Sequence, residues 1–423
     1  MGVQSQFALE VWVEVLKAAL SAMIASLARL VVAIGTVASR LCYASFPIPG
    51  LVASFNVWFL KFASEVLNFF WIWRNLKRTA VSDIPLNNPR EIGTGEWLEY
   101  TGAPVSTSDV IVWLPGGAFL YHDSFEISVA RALLPRLAAK HGSAPRILVF
   151  RYPLPAKIPK TSREVDHVLG WLRKSCGMKR VILAGDSAGG YLTVDHYLAL
   201  QARGDTNKID AAIAFYPVLD LTLSSESINR NANKDGLHRN LLVSGVNSFT
   251  SGHGISGELD VIKRWSPVFA KSRYLHAAMK KNQPPLCLIS GALDLLADDT
   301  YRFCDRAQRA AEEVAEMDYD QTVRPKGRGR RSPARRRSPA DSITFSADGV
   351  EASDPHGALY WRPSPRDLHV ERHIIDQIKY QCVNDGAFGV HCGALLPPAL
   401  VGRSAAVRKA LGVAFEVCSA ALE

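Results

Sequence analysis

Val181-Ile-Leu-Ala-Gly-Asp-Ser-Ala-Gly-Gly190 is the stretch that decides how this 423-residue chain folds. Val181–Ala184 is a short apolar run with the composition of a buried parallel strand. The helix-like stretch Gly189–Ala202 follows it. Between them lies Gly185-Asp186-Ser187-Ala188-Gly189, a G-x-S-x-G pentapeptide. By chance such a pentapeptide arises in roughly one chain in six of this length, so its context decides. A strand running in and a helix running out make a sharp turn that lifts a serine into reach, and small neighbours let the backbone pack closely around it. The helix N-terminus favours negative charge developing beside Ser187. The plain alternative is a Gly-rich strand-to-helix turn without chemistry.

Outward from this point the same alternation repeats. Val110–Leu114, Arg146–Phe150, Ala211–Phe215 and Leu286–Ile289 read as further strands. Ser128–Lys140, Ser162–Lys174 and Asp298–Met317 read as helices, so a doubly wound, mostly parallel sheet is predicted. His369–Cys382 is a candidate last strand and Arg403–Leu422 a closing helix. Four regions follow: 1–80, an apolar helical hairpin; 81–317, the α/β core; 318–365, an insertion; and 366–423, the rest of the core.

Two further pieces belong with Ser187. Leu114-Pro115-Gly116-Gly117-Ala118-Phe119 follows an early strand, where acyl transfer needs backbone N–H groups to hold an oxyanion. A simple turn would also favour Pro-Gly-Gly. Gly291-Ala-Leu-Asp294 follows the strand Leu286–Ile289, and a carboxylate there is well placed to orient a histidine. Asp298 and Asp299 fall in a first helical turn, where capping is the default role. In the chain order Ser, Asp, His the histidine comes last, which leaves His356, His369, His373 and His391. His391 is favoured because it follows the final strand and precedes the final helix.

The motifs resemble those of the hormone-sensitive-lipase-like group of α/β-hydrolases, which includes arylacetamide deacetylase-like and steryl-acetyl-hydrolase-like esterases. GDSAGG at Gly185–Gly190, YPVLDLT at Tyr216–Thr222 and WSPVFA at Trp265–Ala270 carry the likeness. GALDLLADD at Gly291–Asp299 resembles the group's acid loop, and VHCGALLPPA at Val390–Ala399 its histidine loop. The resemblance implies an α/β-hydrolase fold and a carboxylic-ester hydrolase acting on a small hydrophobic, lipid, steryl or acetylated ester. It implies the triad Ser187, Asp294 and His391, with the oxyanion hole formed by Gly116, Gly117 and Ala188. No metal and no organic cofactor is implied. The group's His-Gly-Gly-Gly is here Pro115-Gly116-Gly117-Ala118, and its Y-R-L-A-P-E is Tyr152-Pro-Leu-Pro-Ala-Lys.

The chain's flanks carry other signals. Phe7 to about Arg40 reads as one helix whose stretch Ala18–Ser39 has Arg29 as its one charge. A span takes about 20 apolar residues, and a central arginine opposes insertion by roughly 2.5–3.5 kcal/mol. Pro47, Pro49 and Gly50 interrupt, and a second apolar run, Leu51–Trp73, follows. Residues 8–76 are therefore predicted either to cap the substrate pocket or to contact a membrane, with the endoplasmic reticulum as the expected compartment. The start MGVQSQFALE fits neither a secretory signal nor, with Gln6, a myristoylation pattern.

The formal charge of +9 is local, because eight bases lie between Arg324 and Arg337 and the remainder carries +1. That tract lies in the insertion 318–365, whose several Ser-Pro steps and few large apolar residues predict disorder. Without aromatic residues it offers no specific nucleic-acid recognition. It fits contact with anionic lipid or regulation by phosphorylation at Ser332 and Ser338. The rival reading of the whole chain is a non-catalytic scaffold on the same fold, carrying this tract as a lipid or nucleic-acid contact. Seven scattered cysteines without a C-x-x-C pair exclude a zinc ribbon or dense disulfide framework.

Overall fold

The computed structural model describes residues 71–72, 74–86, 92–235, 237–251, 259–280, 282–323, 352–353, 359–360, 372–374, 378–383 and 405–423. Its strands are β1 (Leu76–Pro85), β2 (Ile92–Tyr100), β3 (Val105–Leu114), β4 (Ala144–Arg151), β5 (Arg180–Asp186), β6 (Ala211–Phe215) and β7 (Leu286–Gly291). β8 (Ala352–Ser353), β9 (Leu359–Tyr360), β10 (Arg372–Ile374) and β11 (Ile378–Val383) follow. The helices are α1 (Glu126–His141), α2 (Lys160–Lys174), α3 (Ser187–Arg203), α4 (Ser227–Arg230), α5 (Arg239–Phe249), α6 (Leu259–Trp265), α7 (Ser272–Ala278), α8 (Ala297–Val323) and α9 (Ala405–Ala421).

Among the described residues nine strands form one sheet, in the order β1-β2-β4-β3-β5-β6-β7-β11-β10. From β4 to β11 neighbours run parallel, while β1, β2 and β10 each lie antiparallel to the strand that precedes or follows them. Buried side chains alternate across the strands, as the period of two requires. Val110, Val112, Leu114, Leu183 and Leu288 face one core together with α2, α3 and α8. Ile111, Trp113, Ile182 and Ile289 face a second core together with α1 and α9. The result is a sheet between two helical layers, the α/β-hydrolase architecture expected from the sequence.

The strand order creates the site. After β3 the chain crosses to β4 on one side and then returns to lay β5 on the other. In doubly wound sheets a crevice opens outside the strand ends where the order reverses in this way. Leu114 pairs with Gly185, so the two strands end level and the segments leaving them meet. At the far side β11 runs parallel to β7 with Val383 opposite Gly291, so the chain also leaves β11 at that edge.

Several boundaries differ from the sequence reading. β1 begins at Leu76, inside the region assigned to the N-terminal hairpin. Its side chains are mostly exposed, so it carries no apolar alternation to read. Charge marks this edge instead, as in natural sheets that resist edge pairing: Arg78 pairs with Glu96 at 2.7 Å and Lys77 with Glu99 at 3.2 Å. α8 continues past Met317 to Val323, and β8 pairs with β9, both within the insertion assigned from residue 318. Residues 324–351 lie outside the described residues. The expected last strand divides into β10 and β11, paired antiparallel. Residues 1–70, with the apolar runs assigned to them, also lie outside the described residues; among the described residues no helix is long and apolar enough to cross a membrane.

The second core depends on α1, where Leu134 is fully buried. Leu134→Ala should lower unfolding free energy by about 2–5 kcal/mol. Urea denaturation should show this as a lower midpoint with an unchanged slope; an unchanged midpoint would contradict the packing described.

Candidate active site

β5 delivers Ser187 to the sheet's C-terminal edge as the first residue of α3. Its φ is +52°, a left-handed conformation uncommon for a residue with a side chain and frequent at functional sites. The turn is tight enough that a Cβ on Gly189 would collide with the Leu114 carbonyl oxygen, and one on Gly185 would meet the same oxygen at 2.6 Å. Ser187 is therefore held on a strained bend directly against the end of β3. Ala188 follows in the first turn of α3, where N–H groups have no partner within the helix.

The loop after β3 folds back on itself. Gly117 has φ +116°, and Ala118 and Phe119 also have positive φ. A Cβ on Gly117 would strike the Tyr121 carbonyl oxygen. The Leu120 and Tyr121 N–H groups donate to the Gly117 carbonyl at 3.0 and 3.2 Å. Tyr152 Oη donates to the Pro115 carbonyl at 2.7 Å and supports the loop that lacks the group's usual histidine. α5 presses on the loop from outside, with Gly245 against the Ala118 carbonyl.

One assignment made from the sequence does not fit this geometry. The Gly116 N–H donates to Asp186 Oδ1 at 3.0 Å, so it is engaged in holding the loop and does not point into an open site. Gly117 and Ala118, one residue later, are the loop positions whose N–H groups make no hydrogen bond within the described residues. The sequence motif cannot distinguish the two registers, because a glycine suits both the tether and the hole.

The acid loop follows β7. Asp294 is fully buried; its N–H donates to the Gly291 carbonyl at 3.2 Å and its Oδ1 accepts from the Leu296 N–H at 2.9 Å. Asn231 Nδ2 donates to the Asp294 carbonyl at 2.8 Å, and Asp235 Oδ2 accepts from the Leu295 N–H at 2.8 Å. Asp298 and Asp299 stand in the first turn of α8, yet their oxygens reach across to the segment after β6 instead of capping their own helix. Asp298 Oδ2 accepts from the Ser227 N–H at 2.8 Å, and Asp298 pairs with Arg230 at 2.6 Å. Asp299 Oδ2 accepts from the Asp220 N–H at 3.0 Å and Oδ1 from the Ser225 hydroxyl.

Ser187 and Asp294 thus rise from strands two apart on one edge of the sheet, about 10 Å between strand axes. A histidine ring placed between them could reach both. His391, His369 and His356 lie outside the described residues. His373 lies on β10 opposite Lys379. Among the described residues no cluster of three or more potential metal ligands occurs.

Sequence reasoning missed a group of acids beneath the oxyanion loop. Asp123-Ser-Phe-Glu126 has the spacing of a helix capping box, which disguises its burial. Glu126 is fully buried; burial foremost, then the nearby Asp123, pushes its carboxyl up to about 8, against the weaker pull of Arg151, whose Nη2 lies 3.8 Å away. Burial likewise holds Asp186 well above the usual carboxylate range, with Asp123 adding to the effect.

With the geometry in place, the comparisons define the class. The chain belongs to the alpha/beta hydrolase fold family, whose match covers residues 111–324. It is 27% identical over 213 residues to an esterase of Acinetobacter venetianus, a match that takes in 49% of this chain and spans 64% of that relative's length. Among solved structures it is similar to an esterase of the bacterial hormone-sensitive lipase family, with TM-score 0.55, 15% identity and coverage of 94% of this chain and 98% of the other. Carboxyl esterase 2 of the fungus Tuber melanosporum gives TM-score 0.52 at 15% identity, covering 82% and 88% of the two chains. These structural likenesses establish the fold and agree with the group that the sequence motifs resemble.

Two outcomes follow from the site's packing. Gly189→Ala, whose methyl meets the Leu114 carbonyl, should cost about 1–3 kcal/mol or more of stability, measured by thermal unfolding. Glu126 is protonated in the folded protein at neutral pH and ionised when unfolded, so its stabilising share, complete below about 4.5, is lost as pH rises through about 8. Glu126→Gln should therefore match the wild type near pH 4 and exceed it in stability near pH 9. Parallel stability–pH curves for the two proteins would contradict the assignment.

Proposed function

We propose that this chain is a serine esterase in which Ser187 is the nucleophile, His391 the general base and Asp294 the acid that orients it. The observation that carries the reading is Ser187 itself, at φ +52° on the turn between β5 and α3, beside a Gly-rich loop at the sheet's switch point. Strain at such a turn is stored where a nucleophile must be held in a fixed direction. His391 removes the Ser187 proton, Ser187 attacks the ester carbonyl, and the alcohol leaves with a proton returned by His391. Water, activated by the same base, then releases the acid. The N–H groups of Gly117, Ala118 and Ala188 stabilise the oxyanion.

The choice of His391 is supported by β11. It ends at Val383, level with the end of β7, so the chain beyond it starts at the edge where Ser187 and Asp294 rise. His373 sits opposite Lys379, about 13 Å below that edge at 3.3 Å per residue. An apolar substrate suits the residues around the loop: Ala118 and Leu241 pack with Leu120, Tyr121 and Leu237. A small hydrophobic ester, of lipid, steryl or acetylated type, is the substrate proposed, taken at a membrane that residues 8–76 contact. The basic insertion 318–365 is outside this chemistry.

Ser187→Ala should lower kcat roughly 10⁴-fold, measured with a panel running from short acyl esters to steryl and long-chain esters. His391→Ala should match it, the double variant should be scarcely worse, and His373→Ala should keep most activity. Full activity in Ser187→Ala would defeat the reading. Loss in His373→Ala with activity kept in His391→Ala would move the base to the earlier histidine.

A further inference from the structure

The proposed chemistry leaves Asp123 and Asp186 without a role, although both are buried beside it. Their hydrogen bonds divide them in the same way. Asp186 Oδ1 accepts from the Gly116 N–H at 3.0 Å, and Asp123 Oδ1 accepts from the Phe125 N–H at 3.4 Å. Each then turns Oδ2 toward the same place: a Cβ built on Gly116 would strike both Asp186 Oδ2 and Asp123 Oδ2. The Asp123 N–H also donates to the Gly116 carbonyl at 3.3 Å, so both sides of Gly116 are tied to this pair. Two carboxylate oxygens facing each other without a proton would repel strongly in a buried space. One proton between them converts repulsion into a short, charge-assisted bond.

We propose that Asp123 and Asp186 share one proton as a carboxyl–carboxylate pair, and that this pair pins the oxyanion loop to the nucleophile turn, so that losing the proton disarms the oxyanion hole. They are positioning residues, and the inference rests on the proposed esterase reading. Burial first, then the neighbouring Asp123, favours the protonated state of Asp186. Among the described residues, the arginines of the neighbouring strands pair with glutamates. Arg151, on β4, is shared between Glu126 of α1 at 3.8 Å and Glu96 of β2 at 3.9 Å. Arg78, on β1, pairs with Glu96. Glu126 adds to the upward push on Asp186. Tyr152 and Tyr121 complete the shell, with His122 edge-on to the Tyr152 ring at 4.7 Å.

The test uses the full chain and p-nitrophenyl acetate, with kcat and KM followed from about pH 6 to about pH 10. In the wild type kcat should fall reversibly on the alkaline side while KM holds, because the loop acts on the transition state. Asp123→Asn keeps a donor facing Asp186 and cannot ionise, so it should stay within about tenfold of wild-type kcat near pH 7 and lack the alkaline fall. Asp123→Ala should lose kcat on the order of 10²-fold throughout. The same alkaline fall in Asp123→Asn, or wild-type kcat in Asp123→Ala, would overturn the proposal.

Calorimetry supplies a reading independent of catalysis. Above the ordinary aspartate range the folded protein keeps a proton that the unfolded chain has released, so Tm falls as pH rises. Asp123→Asn should flatten that slope, and an unchanged slope would count against the shared proton. If Ser187→Ala remained active, the esterase reading would fail while the slope still reported on the pair. A flattened slope with an unchanged kcat profile would keep the pair and refute its role as a pin.

Discussion

The close approach of the Leu114–Pro115 main chain to the turn at Gly185–Gly189 is the constraint on which the rest of the structure depends. It exists because β3 and β5 are neighbours, end level and diverge at the switch point. Without side chains at Gly185 and Gly189 the two strands' exits can touch. That contact brings the Ser187 turn against the loop that begins at Pro115. Moving either strand by one residue would separate them, since a one-residue slip also turns every core side chain to the other face.

The acid loop is held by a different means. Asn231, Asp235, Asp298 and Asp299 connect the segment after β6 to the exit of β7 through hydrogen bonds to main-chain groups. Backbone positions fixed in this way preserve the geometry of Asp294 without demanding particular neighbours of its carboxylate. The loop after β3, by contrast, is tied to a buried acid, Asp186, through the Gly116 N–H.

What could be read from the sequence depended on where each residue's information lies. Val110–Leu114, Val181–Ala184, Ala211–Phe215 and Leu286–Ile289 are buried on both faces, so composition alone marks them, and each falls within an observed strand. β1 is a mostly exposed edge strand and carries no such mark. α5, α6 and α7 are short and follow no strand–helix alternation, so nothing announced them. The turn at Ser187 was legible because strain requires small residues at fixed spacing. The tie of the Gly116 N–H to Asp186 was not, since adjacent glycines at 116 and 117 look alike in sequence. Asp123 and Glu126 were hidden for a related reason: an acid at or just before a helix start reads as a surface cap whether it is exposed or buried.

Labelling with a fluorophosphonate, followed by mapping of the modified peptide by mass spectrometry, tests the central claim most directly. A serine made nucleophilic on a strained turn beside oxyanion donors attacks phosphorus as it attacks an ester carbonyl. The account expects one adduct, on Ser187, with labelling lost in Ser187→Ala. An adduct on another residue, or no reaction by folded protein that still hydrolyses esters, would contradict it.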